Sequence, residues 1–296
     1  TIGAYNGTKI FTGLVTINAG GTWNNSVSSP VTFRGGITNN GTFTAGNTYT
    51  YTFDTNAQSL NGNLNMSGST VVVTGINLTN YGTLTLGSAL NGSGALINSS
   101  SGTLNIEGSG YINIATLTNQ GAFTVTSSGG FGTSAANFTN TGVIHLNGSG
   151  YLTGLTNNAN GTVNFINAGH TIGTFTNATS TSVLNISALI TSASAINTLT
   201  ATAAGNTVNY SGSGDQTIKN TTYSNLTVSG SGTKTLNGGT TVTGILTLTN
   251  GVLSSTTDNL LSITNTATSA IAGGSATAYI NGPVKRTLPT SLGSGS

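Results

Sequence analysis

Six side chains in this 296-residue chain could carry acid–base or metal chemistry: Asp54, Glu107, Asp215, Asp258, His145 and His170. Glycosidic-bond cleavage needs two convergent carboxylates, and lyases on β-structured scaffolds add a basic partner or a metal. The nearest two carboxylates in sequence, Asp215 and Asp258, stand 43 residues apart. A two-histidine metal site needs a third ligand close by, and neither His145 nor His170 has an acidic or histidine neighbour in sequence. There is no Cys, which removes thiol catalysis, disulfides and Cys-ligated zinc. Calcium-binding Gly-Gly-x-Gly-x-Asp repeats are absent too. The chain therefore reads as a non-enzyme, with no catalytic residue, no cofactor and no metal. His145, between Ile144 and Leu146, and His170, in a turn before Ile172, read as solvated surface histidines.

Charge narrows the field further. Only 3 % of residues are charged, with six basic against four acidic, where about 25 % is usual. Six scattered cations cannot build the basic stripe that neutralises phosphates, so nucleic acid is not a partner. No run approaches the 18 or so apolar residues of a membrane span. Thr1 to Tyr5 lacks the basic and apolar regions of a signal peptide, so the sequence reads as a mature form or an excised fragment.

What must position any surface chemistry is a repeat. A small or turn-forming residue precedes an x-h-x-h pattern, h being apolar, as in Gly41-Thr42-Phe43-Thr44-Ala45, Gly82-Thr83-Leu84-Thr85-Leu86, Gly102-Thr103-Leu104-Asn105-Ile106 and Gly142-Val143-Ile144-His145-Leu146. The first apolar positions are Trp23, Phe43, Leu64, Leu84, Leu104, Phe123, Ile144, Val163, Leu184, Val208, Leu226, Leu246 and Leu261. A second apolar position precedes many of them: Ile37, Leu78, Ile97, Leu117, Phe138, Leu155 and Phe175. Between the two lies a polar corner such as Leu117-Thr118-Asn119-Gln120-Gly121, where Asn and Gly tolerate positive φ. A third segment follows Gly-Ser-Gly turns at Tyr111 and Tyr151.

Period-two alternation without helical periodicity, repeating near twenty residues, predicts an all-β fold. The expected architecture is a single-stranded parallel β-helix, or β-solenoid, with about 20 residues per coil and roughly 13 coils. Stacked coils place equivalent positions about 4.8 Å apart, so a repeated charge would repel itself, whereas Thr, Ser and Asn ladders hydrogen-bond. Residues 1–185 read as a regular array and 186–204 as an irregular Ala/Ser/Thr-rich transition. Residues 205–286 read as variant coils and 287–296 as a tail. Pro283 and Pro289 flank Val284-Lys285-Arg286, which suits a protected final edge strand.

Candidate recognition residues face outward. Tyr111, Phe131 and Tyr151 recur twenty residues apart and suggest an aromatic stack. Thr83 and Thr85 flank Leu84, and Thr42 and Thr44 flank Phe43; regular Thr arrays on a flat face raise ice binding, although other rungs place Asn, Val or His there. Asn-x-Ser/Thr sequons at Asn6, Asn40, Asn77 and Asn137 are expected by chance in such a composition.

The segment Tyr210-Ser211-Gly212-Ser213-Gly214-Asp215-Gln216-Thr217-Ile218, with Tyr223-Ser224-Asn225-Leu226-Thr227-Val228 and Tyr279-Ile280-Asn281-Gly282-Pro283-Val284-Lys285-Arg286, resembles β-strand repeats of very large secreted surface proteins of Bacteroidota. The resemblance covers residues 205–286 and earlier coils in general style. It implies export by the type IX system with a C-terminal sorting domain, which these residues do not include. It also implies an extracellular, cell-surface location and a role in attachment, adhesion or gliding filaments, but it supplies no residue-level site. The leading expectation is a structural or adhesive solenoid, a segment of a surface fibre or adhesin. Its partners would be further copies of itself or neighbouring repeats. A carbohydrate-binding or polysaccharide-degrading solenoid, with surface glycans as partner, and an ice-binding solenoid stay open as alternatives.

Overall fold

A computed structural model describes residues 7–25, 29–46, 49–126, 131–133 and 137–290, with Phe131–Thr133 described by its backbone only. The chain is a β-solenoid of about 13 turns at a spacing near 20 residues, and its strand-to-strand ladders are parallel. Among the described residues the only helical pieces are two 3₁₀ turns, Ala193–Ala195 and Thr268–Ala270. Among the described residues no helix is long and apolar enough to cross a membrane. The chain divides into two compact units, Thr1–Leu155 and Thr156–Ser296.

In the first unit each coil has three sides. One side stacks Val31, Tyr51, Val71, Leu90 and Ile112 in register. The next stacks Leu78, Leu96, Leu117 and Phe138. The third stacks Leu64, Leu84, Leu104, Phe123 and Ile144, every one fully buried. Full burial of such a side chain contributes roughly 1.5–3 kcal/mol, and each rung covers the next, so one narrow core suffices. The earliest rungs fill this core with rings: Trp23 meets Phe43 edge-on at 5.9 Å and Phe33 stacks on Phe53 at 5.3 Å.

Corners are set by glycines where backbones meet. Gly62 has φ +81°, and a Cβ there would fall 1.9 Å from the Asn39 carbonyl oxygen. Gly92, at φ +126°, sits where the register between Ala89–Asn98 and Tyr111–Asn119 shifts.

In the second unit one side stacks Val163, Leu184, Val208, Leu226, Leu246 and Ile271. Ile271 closes this column, not Leu261, which lies between Thr240 and Val284 on another side. Leu261 carries the x-h-x-h context, in Leu260-Leu261-Ser262-Ile263, whereas Ile271 is followed two residues on by Gly273, so the pattern favours the residue that lies on the other side. A similar slip occurs at Ile97: Leu96 points inward and is fully buried, while Ile97 is half-buried beside Thr79 and Thr118. Two adjacent aliphatics satisfy the pattern equally well, and the buried neighbour is decided by the coils on either side.

The segment 186–204 keeps its place in the stack. Ala188 and Ile190 are buried, the chain makes the 3₁₀ turn, and Ile196–Thr200 then pairs with His170–Asn177, placing Ile196 on Ile172 and Leu199 on Phe175. Its alternation is blurred because buried residues sit in a turn as well as in a strand. At the other end Val284–Arg286 pairs with Leu261–Ile263 and is the last strand of its ladder, exposed throughout.

Candidate recognition surface

Arg34 Nε donates to Asp54 Oδ1 at 2.9 Å and Thr55 adds a hydroxyl at 2.8 Å. The Arg34 hydrogen bond holds the Asp54 carboxyl below its usual range. Asp215 Oδ1 accepts from the Thr233 backbone N–H at 2.8 Å. Glu107 and Asp258 are exposed on separate units. Among the described residues no three His, Cys, Asp or Glu side chains cluster as a metal site would require.

Lys234 departs from the expected pattern of outward charges. It sits at an inward position between Gln216 and Leu253 and is fully buried. Its ammonium donates to the carbonyls of Gly212 (2.8 Å), Gly214 (2.5 Å) and Ser231 (2.7 Å). Burial lowers its pKa and nearby Asp215 acts in the opposite direction. The lysine satisfies a corner whose carbonyls the strand ladder leaves over. Gln216 and Gln58 do the same with amides: Gln58 Nε2 reaches Phe33 O and Asp54 O, both at 2.8 Å.

The histidines divide. His145 is half-buried in an outward position opposite Thr124, in keeping with alternation. His170 corrects the expectation of a solvated surface residue. It is fully buried, with its ring edge-on to Phe165 at 6.4 Å, because the turn before it folds the first residue of the strand inward. Tyr210 and Tyr223 are also fully buried, their hydroxyls 3.2 Å apart. Tyr223 donates to Lys219 O at 2.6 Å, and burial raises both pKa values.

The polar corners hold the feature that periodicity missed. Asn80, Asn98, Asn119 and Asn140 are fully buried, one above another. Each side-chain amide donates to the Oδ1 of the next, at 2.8, 2.8 and 2.7 Å. Asn157 repeats the contact with Asn177 at 3.0 Å in the second unit. Each also donates to corner carbonyls; for Asn119 these are Gly121 O at 3.1 Å and Val143 O at 3.2 Å. Positive φ is not their role, for among the described non-glycine residues only Thr55 and Asn160 adopt it. The signal is the Thr-Asn-x-Gly corner recurring at Asn80, Asn119 and Asn140 and its longer form Thr-Asn-x-x-x-Gly at Asn157, which a backbone-adapter role for Asn does not explain and a buried hydrogen-bonding role does.

On the outside, neutral side chains form columns. One runs Asn63, Thr83, Thr103, Ala122, Val143, and its neighbour runs Asn65, Thr85, Asn105, Thr124, His145. Thr83 is half-buried, and Thr85 is only 7 % exposed between its two Asn neighbours. A Thr-only array is therefore interrupted in both columns. In the second unit Asn164, Asn185 and Asn209 align outside, with Asn185 donating to Asn164 at 3.0 Å.

The aromatic positions are placed differently from a three-ring stack. Tyr111 and Tyr151 share one outward column and are 41 % and 46 % exposed, but the residue in register between them is Gly132. Phe131 is opposite Gly150, and its side chain lies outside the described residues, as does the sequon at Asn6. A spacing of twenty residues misses this because the two coils step by 21 and then 19 residues, from Tyr111 to Gly132 and from Gly132 to Tyr151.

No protein-family model, no curated protein and no solved structure matches this chain.

Proposed function

We propose that this chain is a non-enzymatic extracellular β-solenoid, a segment of a cell-surface fibre or adhesin whose neutral outer columns meet its partner. The observation that carries this is how the charged side chains are used. Arg34 and Asp54 pair, Lys234 and Asp215 bind backbone at one corner, and the outward columns through Thr83 and Thr85 are mostly Thr and Asn, with no Lys, Arg, Asp or Glu among them. Stacked rungs favour uncharged repeats, and an uncharged, ladder-bonded surface is suited to holding shape outside a cell. The resemblance of residues 205–286 to Bacteroidota surface repeats supports the same location. Assembly with further copies belongs to this proposal, since strand ends invite pairing. Ice binding would call for continuous Thr columns, and those through Thr83 and Thr85 carry Asn, Ala and Val.

Beads coated with the purified chain and drawn over immobilised polysaccharides, mucin and the chain itself under increasing shear test the proposal. Retention on at least one surface, above beads coated with heat-denatured chain, is the expected result. Beads that roll off all of them at the lowest shear would refute an adhesive role.

A further inference from the structure

Early in the first unit the strand ladder opens between two coils. Thr42–Thr44 pairs with Thr22–Asn24, and residues 63–66 pair with Thr83–Leu86. No ladder joins Thr42–Thr44 to residues 63–66, although the two strands lie in successive coils and touch. Asn39 ties them at one end, its Nδ2 donating to Asn63 O at 2.6 Å. Asn98 and Asn119 make the same corner bond, to Ala122 O and Val143 O, and there the strands beyond the corner pair. Here they part, leaving a slot of about 240 Å³ lined by Asn39, Gly41, Thr42, Phe43, Asn63 and Asn65. Exposure follows the gap: Thr42, Asn63 and Asn65 are exposed, whereas Thr85, in line with Asn65 one coil on, is nearly covered.

The polar groups around the slot are uncommitted. Thr42 N–H and Thr44 C=O bond the preceding coil, to Gly21 O at 2.9 Å and Asn25 N–H at 3.0 Å. Backbone groups alternate in direction along a parallel strand, so Phe43 turns its N–H and C=O into the slot. Among the described residues the Thr42 hydroxyl and the Asn63 amide have no hydrogen-bond partner, and Asn65 uses only its Oδ1, which accepts from Ser67 N–H at 3.0 Å.

Charge and size select the ligand. No lining residue is charged, and the nearest formal charges in sequence, Arg34 and Asp54, are paired with each other. An ion in the slot would give up water with no opposite charge in return. An apolar ligand would strand the amides, and the Phe43 ring faces the core rather than the slot. The volume lies below the roughly 300–1,000 Å³ of pockets for drug-sized ligands, so it suits one small ring. What fits is a neutral ring rich in hydroxyls. A primary amide sets a donor beside an acceptor, which two vicinal hydroxyls of a pyranose satisfy together. Asn63 offers both ends of its amide, Asn65 offers its Nδ2 on the same wall, and Thr42 stands on the facing wall.

We propose that this slot binds one neutral pyranose unit of a glycan, held by Asn63, Asn65 and Thr42. This rests on the adhesive role proposed above and names its ligand. Saturation-transfer difference NMR on the whole chain tests it, with methyl glycosides of glucose, galactose, mannose and N-acetylglucosamine as probes. Glucuronate and cyclohexanol serve as the anionic and apolar controls. Transfer to at least one neutral glycoside, saturating with a Kd of about 1 mM, and none to either control is the expected result. Asn63→Ala should raise that Kd about tenfold through the lost amide hydrogen bonds, and Thr42→Tyr, which fills the slot from the facing wall, should abolish transfer. Asn105→Ala removes an outward amide where the ladder is closed and should change nothing. Unchanged melting temperatures show that the variants are folded, as outward substitutions should be; if Thr42→Tyr melts early, Asn63→Ala against Asn105→Ala decides. No transfer to any neutral glycoside, equal transfer to a control compound, or equal Kd in Asn63→Ala and Asn105→Ala would overturn the assignment. If coated beads were still held on some surface, the adhesive role would stand without this site.

Discussion

Replacing Asn119 by Ala should loosen the first unit far more than replacing an outward Asn. Asn119 accepts one hydrogen bond from Asn98, and its two amide protons are shared among Asn140, Gly121 and Val143. A buried hydrogen bond contributes about 1 kcal/mol net, so the loss is about 3 kcal/mol, and the stranded carbonyls of Gly121 and Val143 are held away from water. Asn80→Ala should cost about 2 kcal/mol, because Asn80 donates through two amide protons while its Oδ1 has no partner to lose. Asn105→Ala, at a half-buried outward position, should stay within about 0.5 kcal/mol. Amide hydrogen exchange followed by mass spectrometry reads this locally, which suits an array whose rungs depend on nearest neighbours. Peptides covering residues 98–143 should exchange about a hundredfold faster in Asn119→Ala, since each 1.4 kcal/mol or so is a factor of ten. An increase below tenfold, or one equal to that of Asn105→Ala, would refute a structural role for the asparagine ladder.

Three further outcomes follow from the same geometry. Lys234→Met strands the carbonyls of Gly212, Gly214 and Ser231 and should cost about 3 kcal/mol in urea unfolding, partly offset by removing a buried charge; a more stable variant would contradict the carbonyl cage. Tyr210 and Tyr223 have pKa values raised by burial above the ordinary 10.0. The unfolded chain therefore loses those protons first, so their contribution is intact below pH 10 and declines as pH rises through that value toward the folded pKa values. Tyr223→Phe should flatten the alkaline fall in urea midpoint, and an unchanged slope would show that other groups govern it. Gly62→Ala, which sets a methyl against the Asn39 carbonyl at a positive φ, should lose about 3 kcal/mol, measured by the same unfolding; a neutral result would mean that the corner has room.

Alternation made the inward columns readable. Leu84, Leu104, Phe123 and Ile144 lie where the x-h-x-h pattern put them, since one face of a strand cannot be exposed without exposing every second apolar residue. Register between coils was less legible. Leu261 against Ile271, Leu96 against Ile97, and Gly132 against Phe131 each turn on coil lengths that vary by a few residues, and only the neighbouring coil decides which residue is in line. Buried polar groups were least legible. Lys234 and the asparagine ladder look like surface residues by type, yet corners leave carbonyls that strands do not use, and a polar side chain folded inward satisfies them; His170 is instead turned inward against Phe165. On the outer face the residue types were evident from the sequence, while the placement of Gly132 in line with Tyr111 and Tyr151 depended on the register.

The most direct test of a scaffold that carries out no chemistry on the surfaces it meets is to incubate the chain with soluble β-1,4-glucan, xylan and polygalacturonate, and to count reducing ends and unsaturated products over a day. Polymer recovered at its original length, with no product above a heat-denatured control, is the predicted result. Shortened polymer or unsaturated ends that grow with protein concentration would contradict it.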